Sequence, residues 1–194
     1  MSLQFNPKGY NIILASQSLR RKQLLSELGY KFTQTSKDLD ESFPSDLPIN
    51  EVAEYLANKK AKGFKEDLKE NDLLITSDTT VCLENEILNK AANPEEAKVM
   101  LQKISGKAHE VITGVCLSSL SKSISFSGTT KVYFKELSKD EIDFYIENFK
   151  PFDKAGAYGI QEWIGFIGVE KIEGSYFNVM GLPVKLLHAT IENF

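Results

Sequence analysis

Short apolar blocks alternate with stretches of helical spacing along this chain, and the alternation predicts a mixed α/β fold. Residues 11–15 (NIILA) read as a buried strand, followed by a polar turn at Ser16, Gln17 and Ser18. Leu24, Leu25 and Leu28 then recur at helical spacing before Gly29, a natural stop, with Ser18 as N-cap. Residues 31–35 read as a strand, the acidic run Asp38, Leu39, Asp40, Glu41 follows, and Pro44 and Pro48 mark a loop. Asn50 is a candidate cap for a helix reaching to about Leu68, with Val52, Ala53, Leu56, Ala57 and Phe64 near one face.

Further along, residues 73–76 form a short apolar strand, and residues 81–83 resume extended character after Ser77, Asp78, Thr79 and Thr80. Asp78 is therefore expected at a strand end. Glu84 and Asn85 suit a hairpin turn, and Asn93, Pro94 and Glu96 supply a cap, a first-turn proline and a capping-box carboxylate. Residues 110–117 and 123–137 read as two long antiparallel strands, and Ser138 to Glu141 as a second capping box that opens a helix closed off by Pro151. Residues 153–161 (DKAGAYGIQ) are small in the middle, suited to close backbone approach to a ligand. A late strand over residues 164–169 and 171–172, a turn at Glu173 and Gly174, and an amphipathic helix over residues 183–191 complete the pattern. No internal repeat or long linker interrupts it, so residues 1–194 read as a single domain.

Composition narrows the function classes. A net charge of −4 argues against nucleic acid as partner, so any anion site must be local. Cys82 and Cys116 both lie in apolar runs, which suits buried, reduced thiols rather than a disulfide framework. The first ten residues lack the pattern of a secretory leader, and no apolar run approaches the roughly 20 residues of a membrane span. The expected protein is soluble and cytoplasmic, with no membrane partner. Neither a phosphate loop, a dinucleotide fingerprint, a zinc motif nor a nucleophile elbow occurs, and His109 and His188 both read as structural.

Candidate chemistry is carried instead by scattered charges. Arg20 and Arg21 fall in the first turn of the opening helix, where the macrodipole disfavours a cation unless an anion is present. With Ser16, Ser18 and the unpaired amides they make a phosphate-sized site, although a solvated basic helix start has the same pattern. Lys60 lies within the apolar stripe of its helix, placed either to snorkel or to reach an anion. Asp78 is either a catalytic carboxylate or ordinary turn chemistry. Together with Lys90, Lys154 and Glu41 these residues fit a polyphosphate carrying a divalent metal, and equally fit unrelated surface charges.

A resemblance sharpens this. The motifs LASQSLRR with LL following, DLDE, LANKKA, SDTTV, ILNK, DKAGAYGIQ and IEGSYFNVMGLP, in that order from about residue 12 to residue 187, closely resemble those of the Maf family of nucleoside triphosphate pyrophosphatases. The resemblance implies an elongated α/β fold, a twisted mixed sheet flanked by helices with two lobes around a deep cleft, similar to inosine triphosphate pyrophosphatases. It also implies cleavage of a nucleoside triphosphate between the α- and β-phosphates, with Mg²⁺ or a similar divalent cation such as Mn²⁺ or Co²⁺, and a homodimer. By the same resemblance Asp78 is the proton acceptor for water, Ser16, Arg21, Lys60 and Lys90 hold the triphosphate, and Glu41 helps bind the metal.

Family branches differ at the positions of Arg20, Thr79 and Gln161, and this combination resembles the branch acting on dTTP and UTP rather than the one acting on 7-methyl-GTP. A nucleotide-binding regulator of cell division or septum formation is the alternative of a different class. Leu19 departs from the proline usual in the family, and the surroundings of Lys90 and Asp78 depart from its G-K-P and G-A-D-T runs.

Overall fold

The structure is a computed structural model that describes residues 5–6 and 8–194, so the reading of the first ten residues falls in part outside the described residues. Among the described residues seven strands form one mixed sheet. In chain order they are β1 (Asn11–Ala15), β2 (Phe32–Thr35), β3 (Asp72–Leu83), β4 (Glu86–Leu88), β5 (Ala108–Ser118), β6 (Ser123–Phe134) and β7 (Val169–Glu173). Their spatial order is β2-β1-β3-β5-β6-β7, with β4 paired to β3. The helices are α1 (Leu19–Glu27), α2 (Val52–Lys62), α3 (Pro94–Ile104), α4 (Lys139–Phe149), α5 (Trp163–Gly168), α6 (Tyr176–Val179) and α7 (Val184–Glu192). The chain gathers into two compact units, the first comprising Met1–Asp78, Thr113–Gly128 and Gly181–Phe194, the second Thr79–Ile112 and Thr129–Met180.

In the first unit β1 runs parallel to β2 on one side and to β3 on the other. Parallel strands need both faces covered, which explains why Leu14, Leu73, Leu74 and Ile75 are fully buried. Helix α2 covers one face through the small residues Ala53, Ala57 and Ala61. A Cβ on Gly114 of β5 would lie 2.4 Å from the Ala53 carbonyl, so only glycine permits this approach of helix to sheet. Ala57, Ala61, Phe64, Leu68, Leu74 and Cys116 form the core beneath it.

In the second unit α3 packs on α4, and α4 on α5, where the Phe144 and Trp163 rings lie 4.7 Å apart. Both expected caps are present. Asn93 accepts from the Glu96 amide, and Ser138 and Glu141 form a reciprocal capping box. His109, Tyr158 and Phe134 make a buried aromatic group, with His109 Nε2 2.8 Å from the Tyr158 hydroxyl. Both cysteines are buried and free, as their apolar settings suggested.

Four expectations need correction. Helix α2 is not capped by Asn50; Glu51 already has helical dihedrals and makes no side-chain cap, its amide donating to the Pro48 carbonyl instead. The same helix ends at Lys62, where Gly63 meets the Leu39 side chain, and a separate 3-10 turn covers Lys65–Asp67. Residues 164–168 are helical, not extended: the Gly165 and Phe166 amides both donate to the Glu162 carbonyl, opening a helical turn, and Gly165 leaves room for the Ile160 carbonyl, which a Cβ would meet at 1.9 Å. Strand β6 stops at Phe134, where its register against β7 becomes irregular.

Candidate active site

Asp78 stands within β3, not at its end. Strand β1 is registered with Asp72 through Thr76, and β4 with Val81 through Leu83, so residues 77–80 fall between the two pairings. The expected border of a strand end is therefore supplied by β1, which gives way after Ala15 to Ser16 and α1. Asp78 and its neighbour Thr79 are partly exposed on an otherwise buried strand.

Local chemistry brings Lys60 to Asp78. The buried Thr76 hydroxyl donates to the Ala57 carbonyl at 2.7 Å, fastening α2 to β3. Two residues along a strand return to the same face, and three along a helix nearly do, so Asp78 and Lys60 follow from that one bond. Lys60 Nζ lies 3.4 Å from Asp78 Oδ1 and 2.8 Å from Glu41 Oε1.

The Glu41 loop is stitched to the same helix. Lys59 donates to Asp40 and to the Ser42 carbonyl, each at 2.7 Å, and Asp40 in turn accepts from the Ser42 amide at 2.9 Å. Charge-assisted bonds from Lys59 and Ser42 drive the Asp40 carboxyl far below its ordinary range. The acidic run thus presents Glu41 to Lys60 and Asp40 to Lys59.

Arg21 is positioned by a different set of bonds. Ser18 caps α1 as expected, accepting from the Arg21 amide, and the helix starts at Leu19 without the family's proline. The Arg21 guanidinium donates from Nε to the Gly181 carbonyl at 2.8 Å and from Nη1 to the Ser77 carbonyl at 2.9 Å, with Ser16 Oγ 3.4 Å from Nη1. Burial lowers its pKa, opposed by the negative charges of Asp78 and Glu41 and reinforced by Arg20. Ser16, Arg21, Glu41, Lys60 and Asp78 consequently form one electrostatic group inside the first unit, with Arg20 within range of it.

Thr79, Lys90 and Gln161 belong to the second unit. Lys90 is exposed and makes an isolated bridge with Ala155, while the Gly156 amide reaches the Leu88 and Asn89 carbonyls. Gly156 and Ala157 both adopt left-handed dihedrals, turning the chain sharply before Gln161. Lys154, one of the candidate cations, is buried and paired with Asp153 at 2.7 Å and Glu162 at 3.0 Å. Tyr145 donates to Glu162 and accepts the Gly159 amide at 3.0 Å, so the loop before Gln161 is closed by bonds.

Glu162, Tyr145, Thr76 and the Ser77 and Gly181 carbonyls were not foreseen from the sequence. A hydroxyl in an apolar run, as at Thr76, is a usable signal because buried polar groups need partners. Nothing local marks the others.

Among the described residues no group of three or more His, Cys, Asp or Glu is arranged to hold a metal. Glu41 and Asp78 nevertheless converge on one positive charge through hard oxygen donors. That suits Mg²⁺, which commonly takes one or two carboxylates and completes its shell with water and substrate phosphates.

A mixed sheet with cations and carboxylates assembled where a parallel strand turns into a capped helix defines an α/β protein with a charged site of both signs. The chain belongs to the Maf family: residues 11–194 match the family described as Maf-like protein. It is 50% identical to the dTTP/UTP pyrophosphatase of Phocaeicola vulgatus over 96% of this chain and 97% of that protein. The dTTP/UTP pyrophosphatase of Flavobacterium johnsoniae is also 50% identical, over 91% of each chain. In fold the chain resembles the Staphylococcus aureus Ham1 protein, with a TM-score of 0.52 and 15% identity over 94% of this chain and 98% of the other.

Proposed function

We propose that this protein hydrolyses dTTP and UTP between the α- and β-phosphates, releasing the nucleoside monophosphate and pyrophosphate. The observation that carries the reading is near-full-length identity of 50% to relatives named for that activity. The geometry supports it by placing a carboxylate, two arginines, a lysine and a second carboxylate in one group.

Asp78 accepts the proton from the attacking water, a role its partly exposed carboxylate allows. Lys60 and Arg21 hold phosphate oxygens, and Ser16 borders the same turn. Glu41 holds the divalent metal, with Asp78 facing the same Lys60 ammonium. When bound, the metal neutralises phosphate charge and favours departure of pyrophosphate. Lys90 as a phosphate ligand, and Arg20, Thr79 and Gln161 as selectors of the base, rest on the family resemblance. So do a homodimeric state and a cytoplasmic location; no helix among the described residues is long and apolar enough to cross a membrane.

A panel of nucleoside triphosphates with Mg²⁺, Mn²⁺ or Co²⁺ and product identification tests the proposal. Pyrophosphate from dTTP and UTP is expected. Preference for a purine triphosphate would move the protein to another branch, and tight binding without turnover across metals would favour a regulator.

A further inference from the structure

Lys60 does more than the phosphate-binding role requires. Its ammonium stands between two carboxylates, 2.8 Å from Glu41 Oε1 and 3.4 Å from Asp78 Oδ1, so both negative charges are compensated by a group the protein itself supplies. The position is built. Thr76 fixes α2 on β3 through the Ala57 carbonyl, and Lys59 ties the acidic loop to the same helix. The Lys60 side chain is 18% exposed, against 53% for Glu41.

We propose that Lys60 is the resident cation of the Glu41 and Asp78 carboxylates, and that a divalent metal ion takes its place only when a polyphosphate draws the ammonium away. The inference rests on the reading of the site as one for a nucleoside triphosphate with a divalent metal. An ammonium between the two carboxylates repels a divalent ion and shares the oxygens that ion would use. Lysine is a point charge on a flexible stem, so it can exchange carboxylate for phosphate by rotamer changes. Nucleotide and metal then bind cooperatively, and the nucleotide-free protein holds metal weakly. By linkage, the factor by which one raises the affinity of the other is mutual. Both carboxylates keep a cation throughout.

Mn²⁺ titration followed by electron paramagnetic resonance, without nucleotide, reads the exchange independently of turnover. Lys60→Met should bind Mn²⁺ about ten-fold tighter than the wild-type protein, within the usual range of coupling between sites. Lys60→Arg, which keeps a cation, should match the wild type, and Glu41→Gln added to Lys60→Met should cancel the gain. Equal affinity in Lys60→Met and wild type, or a gain that survives Glu41→Gln, overturns the proposal. Should Lys60→Met fail to fold, the wild type decides. An α,β-imido analogue of dTTP should raise Mn²⁺ binding above that of the free analogue, and Glu41→Gln should remove the increment; no increment overturns it. Absence of pyrophosphate release from dTTP would refute the substrate reading alone, since the nucleotide-free comparison is unaffected by it.

Discussion

Arg20 and Arg21 are adjacent in sequence yet differ in what surrounds them. Arg21 donates to the Ser77 and Gly181 carbonyls, so its removal takes a short bond from each, leaving Gly181 only the 3.4 Å bond from the Ser77 hydroxyl, and takes a positive charge from the site. Arg21→Ala should therefore abolish turnover of every nucleotide and also lower the melting temperature, each lost bond costing about 1–3 kcal/mol if its acceptor stays buried. Arg20→Ala should leave stability nearly unchanged and reduce activity unevenly among the bases. A calorimetric scan beside the substrate panel separates the two, and equal losses across all bases for both variants would contradict this division. His109 gives a prediction outside the site. Burial lowers its pKa from an ordinary 6.5 to about 4, so between those values the unfolded chain binds more protons. Its contribution to stability is complete above pH 7 and falls by up to about 3 kcal/mol as pH drops to 4. Denaturant titrations of wild type and His109→Gln should diverge in slope over that window; parallel curves would show that His109 is not the group responsible.

Elements whose signals are local were legible in the sequence. Ser18, Asn93 and the Ser138 to Glu141 pair each cap the helix their spacing announced, because a cap is satisfied within three residues. The Glu84 and Asn85 hairpin follows for the same reason, with Glu84 in the left-handed region. Elements decided by distant contacts were not legible. The apolar run of α5 has strand-like composition, yet its amides bond back to the Glu162 carbonyl in a helical turn. Ser77 to Thr80 carry turn chemistry, yet pairing on both sides draws them into one 12-residue strand. The site shows the same split. Ser16, Arg21, Lys60, Glu41 and Asp78 were each marked by charge and position, whereas the bond from Thr76 that brings two of them together spans 19 residues. Gly114→Ala tests that assembly, since a Cβ 2.4 Å from the Ala53 backbone must push α2 off β5. A loss on the order of 3 kcal/mol in urea unfolding is expected, with activity falling alongside; a neutral effect would mean that α2 is not seated as described.

At the scale of the whole molecule, the net charge of −4 makes the local gathering of Arg20, Arg21 and Lys60 the informative feature. That gathering of cations beside carboxylates is what the proposed reading as a nucleoside triphosphate site uses. Strands β3, β5 and β6 each contribute residues to both compact units, so neither unit is a contiguous piece of the chain. Family membership over residues 11–194 extends across both. In the proposed reaction Asp78 supplies the base for pyrophosphate release. The direct measurement is single-turnover hydrolysis of dTTP with saturating Mg²⁺, comparing wild type with Asp78→Asn and identifying products by phosphorus magnetic resonance. The wild type should give dTMP and pyrophosphate, and the variant a rate lower by about 10²–10⁴-fold with nucleotide affinity within a few-fold. Orthophosphate as the first product, or a variant rate within a few-fold of wild type, would contradict this reading.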